Sequence, residues 1–116
     1  MNTTVKWTNA TANAQVESYL DERMKAVEKL IDESESEALC RVELAHESSK
    51  HGESWRAEIT LSAGGQKFRV EQSDTTINAA IDAVKDEIMR QLRTGKNKRM
   101  SAVRKGGAAI KKMLRR

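Results

Sequence analysis

The chain has 116 residues, no proline and one cysteine, and 38% of it is apolar, below the globular average of roughly 45–50%. That length holds one domain and a tail, the lone Cys40 excludes an internal disulfide, and no apolar run is long enough to span a membrane. Residues 1–87 carry 10 Lys/Arg against 17 Asp/Glu, whereas residues 88–116 carry 11 Lys/Arg and no acid, so the overall +4 is the sum of two opposite parts. Cations packed so densely repel one another until a polyanion neutralises them, and phosphate backbones do so while releasing condensed counterions. No charged-then-apolar leader follows Met1, and the expected compartment is the cytosol.

In chain order, residues 4–9 alternate with period two and predict a short strand with Val5 and Trp7 on one face. Asn13 is a predicted N-cap, and Val16, Leu20, Met24, Val27, Leu30 and Ile31 then recur at helical spacing. The acidic segment 32–37 reads as a solvated loop. Residues 39–46 alternate again, with Cys40, Val42 and Leu44 on one side, so Cys40 is expected to be a small buried hydrophobe. A polar loop surrounds His51-Gly52. Trp55, Ala57, Ile59 and Leu61 mark a third strand, Gly64-Gly65 a tight connection, and Phe68 and Val70 a fourth strand. Ser73-Asp74-Thr75 leads into a second helix with the stripe Ile77, Ala80, Ile81, Val84, Ile88 and Leu92. Gly106-Gly107 is predicted to break regular structure, leaving Ile110, Met113 and Leu114 as a scant apolar face among lysines and arginines.

The order β-α-β-β-β-α predicts an α+β fold. Two apolar helix stripes match one apolar face of a four-stranded sheet, so both helices should pack on the same side. The expected division is a folded RNA-binding domain over 1–99 and a basic tail over 100–116 that is disordered until bound.

Catalysis finds little support. His46 and His51 are the only histidines and lack metal-ligand spacing, and there is no P-loop, G-x-S-x-G or H-E-x-x-H motif. His46 is expected to close a strand and His51 to sit in a turn. The carboxylates Glu17, Asp21, Glu22 and Glu28 read as solubilising. No cofactor is expected. Trp7, Trp55 and Phe68 alternate in phase with aliphatic residues and read as core, which argues against a sheet surface that stacks bases. Recognition should then run through charge and shape. Arg90, Arg93, Lys96, Lys98 and Arg99 cluster toward the end of the second helix, where the helix dipole alone would favour cations. The dipole cannot account for Arg104 and Lys105 as well, nor for Lys111, Lys112, Arg115 and Arg116. On the first helix Arg23, Lys25 and Lys29 are mixed with acids, and a solvated, salt-bridged face is the default there.

The segment Thr76-Ile77-Asn78-Ala79-Ala80-Ile81-Asp82, with Ile88-Met89-Arg90-Gln91-Leu92 after it, resembles the D-x-Y-x-A-I-D … L-x-R-Q-L signature of the ribosome hibernation-promoting and ribosome-associated inhibitor family, also called the sigma-54 modulation family. Val16, Leu20, Arg23, Val27, Glu28 and Lys29 fit that family's first helix, and the likeness covers residues 4–99. It departs at Thr76, Asn78, Glu87 and Thr94, where the family commonly has an acid, a tyrosine and two basic residues.

The resemblance implies the short form of the family, with a fold similar to double-stranded RNA-binding domains and no catalytic site. It also implies a cytoplasmic factor that occupies the decoding channel of the small ribosomal subunit, on 16S-type rRNA, and inhibits translation in idle or stressed cells. By position, Arg23, Lys29, Arg90 and Lys98 match the family's RNA-facing residues, and Lys25, Lys85, Arg93, Lys96, Arg99, Arg104 and Lys105 complete the expected RNA-binding set. The expected partner is the ribosome, with no membrane and a monomer off the ribosome. A general RNA-binding or RNA-chaperone module is the alternative; a membrane-surface anchor is weaker, for want of apolar area after Gly107.

Overall fold

In the computed structural model the described residues are 1–31 and 37–110, with 95–110 described by their backbone alone. Strands β1 (Asn2–Thr8) and β2 (Leu39–Ser49) lie parallel, Val5 opposite Val42 and Trp7 opposite Leu44. Parallel neighbours need a crossover, and helix α1 (Ala14–Glu28) makes it. Asn9 permits the turn out of β1 at φ 57, a left-handed conformation that asparagine tolerates better than most residues. Asn13 then caps α1, its side chain accepting from the amides of Gln15 and Val16 at 2.9 and 3.1 Å.

Strands β3 (Gly52–Ala63) and β4 (Gln66–Asp74) continue as an antiparallel meander, giving the order β1-β2-β3-β4. Gly64 and Gly65 both have positive φ, 56 and 77, the geometry a two-residue hairpin needs to match strand twist. Helix α2 (Ile77–Ile110) closes the order β-α-β-β-β-α, the expected α+β architecture. Its cap is Thr76, whose Oγ1 accepts from the Ala79 amide at 3.2 Å; the predicted lead-in at Ser73-Asp74 still belongs to β4.

One face of the sheet is covered by both helices. The core joins Leu20, Met24 and Val27 of α1 to Val42, Leu44, Ile59 and Leu61 of the sheet and to Ala80, Ile81, Val84 and Ile88 of α2. Burial pushes the Cys40 thiol up to about 11, with a Thr3 hydrogen bond opposing, so it is inert at neutral pH. Trp7, Trp55 and Phe68 pack against the core but are only partly buried.

Strand direction fixes helix direction. Because β1 and β2 run the same way, α1 must run back against both. Because β4 is again parallel to β2, α2 returns along β4 and β3 in the same direction as α1, and the two helices touch. The C-terminal end of α1 and the middle of α2, near Leu92, therefore lie toward the same end of the sheet.

Several boundaries differ from expectation. α1 ends at Glu28 with Lys29 as its C-cap, so Leu30 and Ile31 reach the core from the following turn. β2 runs past His46, whose ring sits 4.8 Å from that of Trp55 across the hairpin. The helical backbone of α2 passes through Gly106-Gly107, where a break was predicted. Each glycine costs a helix roughly 1 kcal/mol relative to alanine, which weakens it without removing a donor as proline would. The expected disordered tail at 100–116 is thus helical in backbone as far as Ile110, and residues 111–116 lie outside the described residues. So does the acidic loop, apart from the exposed Glu37.

Candidate nucleic-acid interface

Two surfaces carry arginine, and their environments separate them. On the open face of the sheet, register places Lys6, Glu43, Glu58 and Glu71 in one cross-strand row. Like charges directly opposite one another repel, and Arg56 in the next row offsets this. Its Nη1 lies 3.5 Å from Glu43, 3.7 Å from Glu58 and 3.1 Å from Glu71, and its Nε donates to Glu47 at 3.1 Å. Arg69 pairs with Glu58, and Thr8 Oγ1 donates to Glu43 at 2.6 Å. The Thr8 hydrogen bond, with the Arg56 and Lys6 charges, holds the Glu43 carboxyl below its ordinary value despite burial. Nη1 and Nε of Arg56 and Nε of Arg69 are thus each held by a carboxylate.

The helical layer is different. Lys29, at the C-cap of α1, and Arg93 on α2 are exposed and make no ion pair with a described residue. Lys25 is exposed and reaches Glu22 at 3.4 Å. Lys85 is mostly covered and lies 2.7 Å from Asp86. Arg90 is exposed but bound by its neighbour, Nε donating to Glu87 at 3.1 Å. Hydrogen bonds from Arg90 and Gln91 hold the Glu87 carboxyl low. At 3.6 residues per turn, Arg93 falls within about 20° of Asp82 on the seam side of α2, while Arg90 is turned about 80° away.

Arg23 stands in the seam between the helices. Its Nε donates to Asp82 Oδ1 at 3.0 Å, its Nη2 to the Tyr19 hydroxyl at 3.1 Å, and Tyr19 donates to Asp82 Oδ2 at 2.7 Å. Burial works against the Asp82 charge, but the Tyr19 and Arg23 hydrogen bonds, with the Arg23 and Lys85 charges, hold its carboxyl below the usual range.

The structure thus gathers Arg23, Lys25, Lys29, Lys85, Arg90 and Arg93 on one layer, in unequal states of neutralisation. Lys96, Lys98, Arg99, Arg104 and Lys105 follow on the backbone of α2, and their side chains lie outside the described ones. Asp82 and Tyr19 were not singled out in the sequence. The signal was there: Asp82 completes the Ala80-Ile81-Asp82 motif at the flank of a buried stripe. Among the described residues no group of three or more His, Cys, Asp or Glu could hold a metal ion, and no helix is long and apolar enough to cross a membrane.

Residues 3–100 match the family described as Sigma 54 modulation protein / S30EA ribosomal protein. The chain belongs to this family. S30EA proteins are non-catalytic, and catalytic chemistry is not required of any residue described above. The N-terminal domain of Protein Y from Thermus thermophilus aligns with a TM-score of 0.68 at 24% identity, over 81% of this chain and 98% of that one. A ribosomal subunit interface protein from Coxiella burnetii aligns with a TM-score of 0.69 at 8% identity, over 84% and 99%. At such identities the likeness is one of fold. Comparison with curated protein sequences gave no match.

Proposed function

We propose that this S30EA protein is a cytosolic, non-catalytic ribosome-binding factor that docks on the small subunit and silences idle or stressed ribosomes by occupying the decoding channel. The observation that carries the reading is the parallel pair of helices, which brings Lys29 and Arg93, free of ion pairs with described residues, to the end from which the basic part of α2 departs. Family membership and the name of the C. burnetii relative, a ribosomal subunit interface protein, support a ribosomal partner. Residues 1–99 act as the RNA-binding domain and 100–116 as a basic arm that adds to its grip, on 16S-type rRNA. Arg23, Lys25, Lys29, Lys85, Arg90, Arg93, Lys96, Lys98, Arg99, Arg104 and Lys105 make the contacts, and the protein is a monomer off the ribosome, without a cofactor.

Such binding is strongly salt-dependent. With ~6–10 phosphate contacts, affinity falls roughly 10³–10⁵-fold between 50 and 200 mM salt. The test is co-sedimentation with small subunits, comparing the wild-type chain with one in which Lys96, Lys98, Arg99, Arg104 and Lys105 are all glutamine. The substituted chain is expected to leave the subunit at lower salt; equal retention at every salt concentration refutes a role for the basic part of α2. The partial burial of Trp7, Trp55 and Phe68 against the core favours recognition by charge and shape, which a general RNA-binding module would share. Competition between small subunits and arbitrary duplex RNA separates the two, since only the general module binds both alike.

A further inference from the structure

We infer that Tyr19 and Asp82 are positioning residues that hold Arg23 as a preset fork for one RNA phosphate; the inference rests on the ribosome-binding reading above. Guanidinium carries five N–H groups in two usable edges. The side edge is occupied: Nε–H goes to Asp82 Oδ1 and one Nη2–H to the Tyr19 hydroxyl. The end edge, with one Nη1 hydrogen and the second Nη2 hydrogen, has no described acceptor. That edge matches a phosphate bidentately. The side chain is 36% exposed, enough for a ligand to reach it.

Three features fix the plane of the fork. The Tyr19 ring lies under the guanidinium, 4.2 Å from Cζ to the ring centroid. The Tyr19 hydroxyl donates to the second Asp82 oxygen, so the three side chains close a ring of hydrogen bonds across the two helices. The bond from α1 to α2 ties the fork to both elements rather than to one surface turn. An arginine held this way has already lost most of its rotamer freedom, so ordering it on RNA costs little more.

The charge arithmetic separates this arginine from its neighbours. Asp82 is ionised, so the Arg23–Asp82 pair is neutral at a distance and adds little to long-range attraction. Its contribution comes at contact, from geometry. Arg93 has no such pairing, and for it charge alone should suffice.

The experiment compares wild-type protein with Arg23→Lys, Tyr19→Phe, Arg93→Lys and Arg93→Gln for binding to small ribosomal subunits at several salt concentrations, with a thermal melt of each. Arg23→Lys keeps the charge and loses the fork; Tyr19→Phe keeps the ring and loses the hydroxyl. Both are expected to bind about tenfold more weakly, with a wild-type salt slope for Tyr19→Phe. Arg93→Lys should bind within about twofold of wild type, and Arg93→Gln should weaken binding and flatten the slope by about one unit. If either seam variant melts too early to assay, the other decides. Arg23→Lys and Tyr19→Phe at wild-type affinity, with Arg93→Gln weakened, overturn the positioning role while leaving the ribosome-binding reading intact. No binding by the wild-type chain overturns both.

Discussion

On the open face of the sheet Arg56 touches Glu43, Glu47, Glu58 and Glu71, while across the sheet Lys29 and Arg93 face solvent with no carboxylate among the described residues. Both surfaces are rich in arginine or lysine, yet the arginine at the centre of each differs: Arg56 is committed to carboxylates and Arg93 is not. On the sheet, the cross-strand row of three glutamates engages Arg56 and Arg69, because like charges directly opposite one another repel unless opposed. On the helices, Lys29 sits at the C-terminal end of α1, where the dipole favours a cation, and Arg93 lies midway along α2 with no ion-paired carboxylate among the described residues. A count of basic residues cannot distinguish these surfaces; a list of their partners does.

The comparison breaks most visibly by reversing charge on the helical side. Lys29→Glu with Arg93→Glu is expected to weaken small-subunit binding about 100-fold and to flatten the log–log salt slope by about two units, measured by sedimentation across a salt series. The thermal melt should fall only slightly, since neither side chain holds a described residue and the loss is confined to the charge at the C-cap of α1. Binding that survives the double substitution would show that the helical layer is not the contact surface.

On the sheet the expectations invert. Arg56→Ala leaves four glutamates short of their shared counter-ion and should cost about 2 kcal/mol at pH 7, read from urea unfolding, with ribosome affinity unchanged. The pH dependence sharpens this. The Glu43 carboxyl is depressed in the folded state, so its contribution is present above the unfolded value of about 4.3 and is lost as pH falls through the lower folded value. Without Arg56 the aligned carboxylates repel, and protonation relieves them. The stability gap between wild type and variant should therefore narrow as pH drops from 7 toward 4; a constant gap would mean that the row is not electrostatically coupled.

Much of the architecture was legible because burial imposes its own period. Leu20, Met24 and Val27, and Ala80, Ile81, Val84 and Ile88, were found at helical spacing, and Cys40, Val42 and Leu44 at strand spacing, since the same residues must meet one core. Leu30 and Ile31 fitted the helical spacing equally well, but they reach the core from a turn, and periodicity cannot tell a stripe from its continuation past a cap. The glutamate row was invisible for another reason. Glu43, Glu58 and Glu71 become neighbours only through the register that two tight turns set. The Arg23 seam likewise depends on how α1 and α2 lie, which joins residues 59 and 63 positions apart. Basic character was legible at the candidate site; the availability of each charge was not.

Arg90 is where that last distinction can be tested most finely. It has the same residue type as Arg93, only three positions away, but Glu87 holds its Nε and Nη2, and Gln91 donates to the same carboxylate at 3.1 Å. The bidentate grip presents Arg90 to RNA as half of a neutral pair. Glu87→Gln removes the competing charge and leaves a side chain of equal size, so small-subunit affinity should rise about threefold at moderate salt, with little change in melting temperature. The control is Glu71→Gln on the open face, which changes net charge by the same amount. If the two sides of the sheet differ as argued, Glu71→Gln leaves affinity where it was. Equal gains from both substitutions would mean that RNA responds to total charge alone, and that the neutralised sheet and the helical layer are one surface to it.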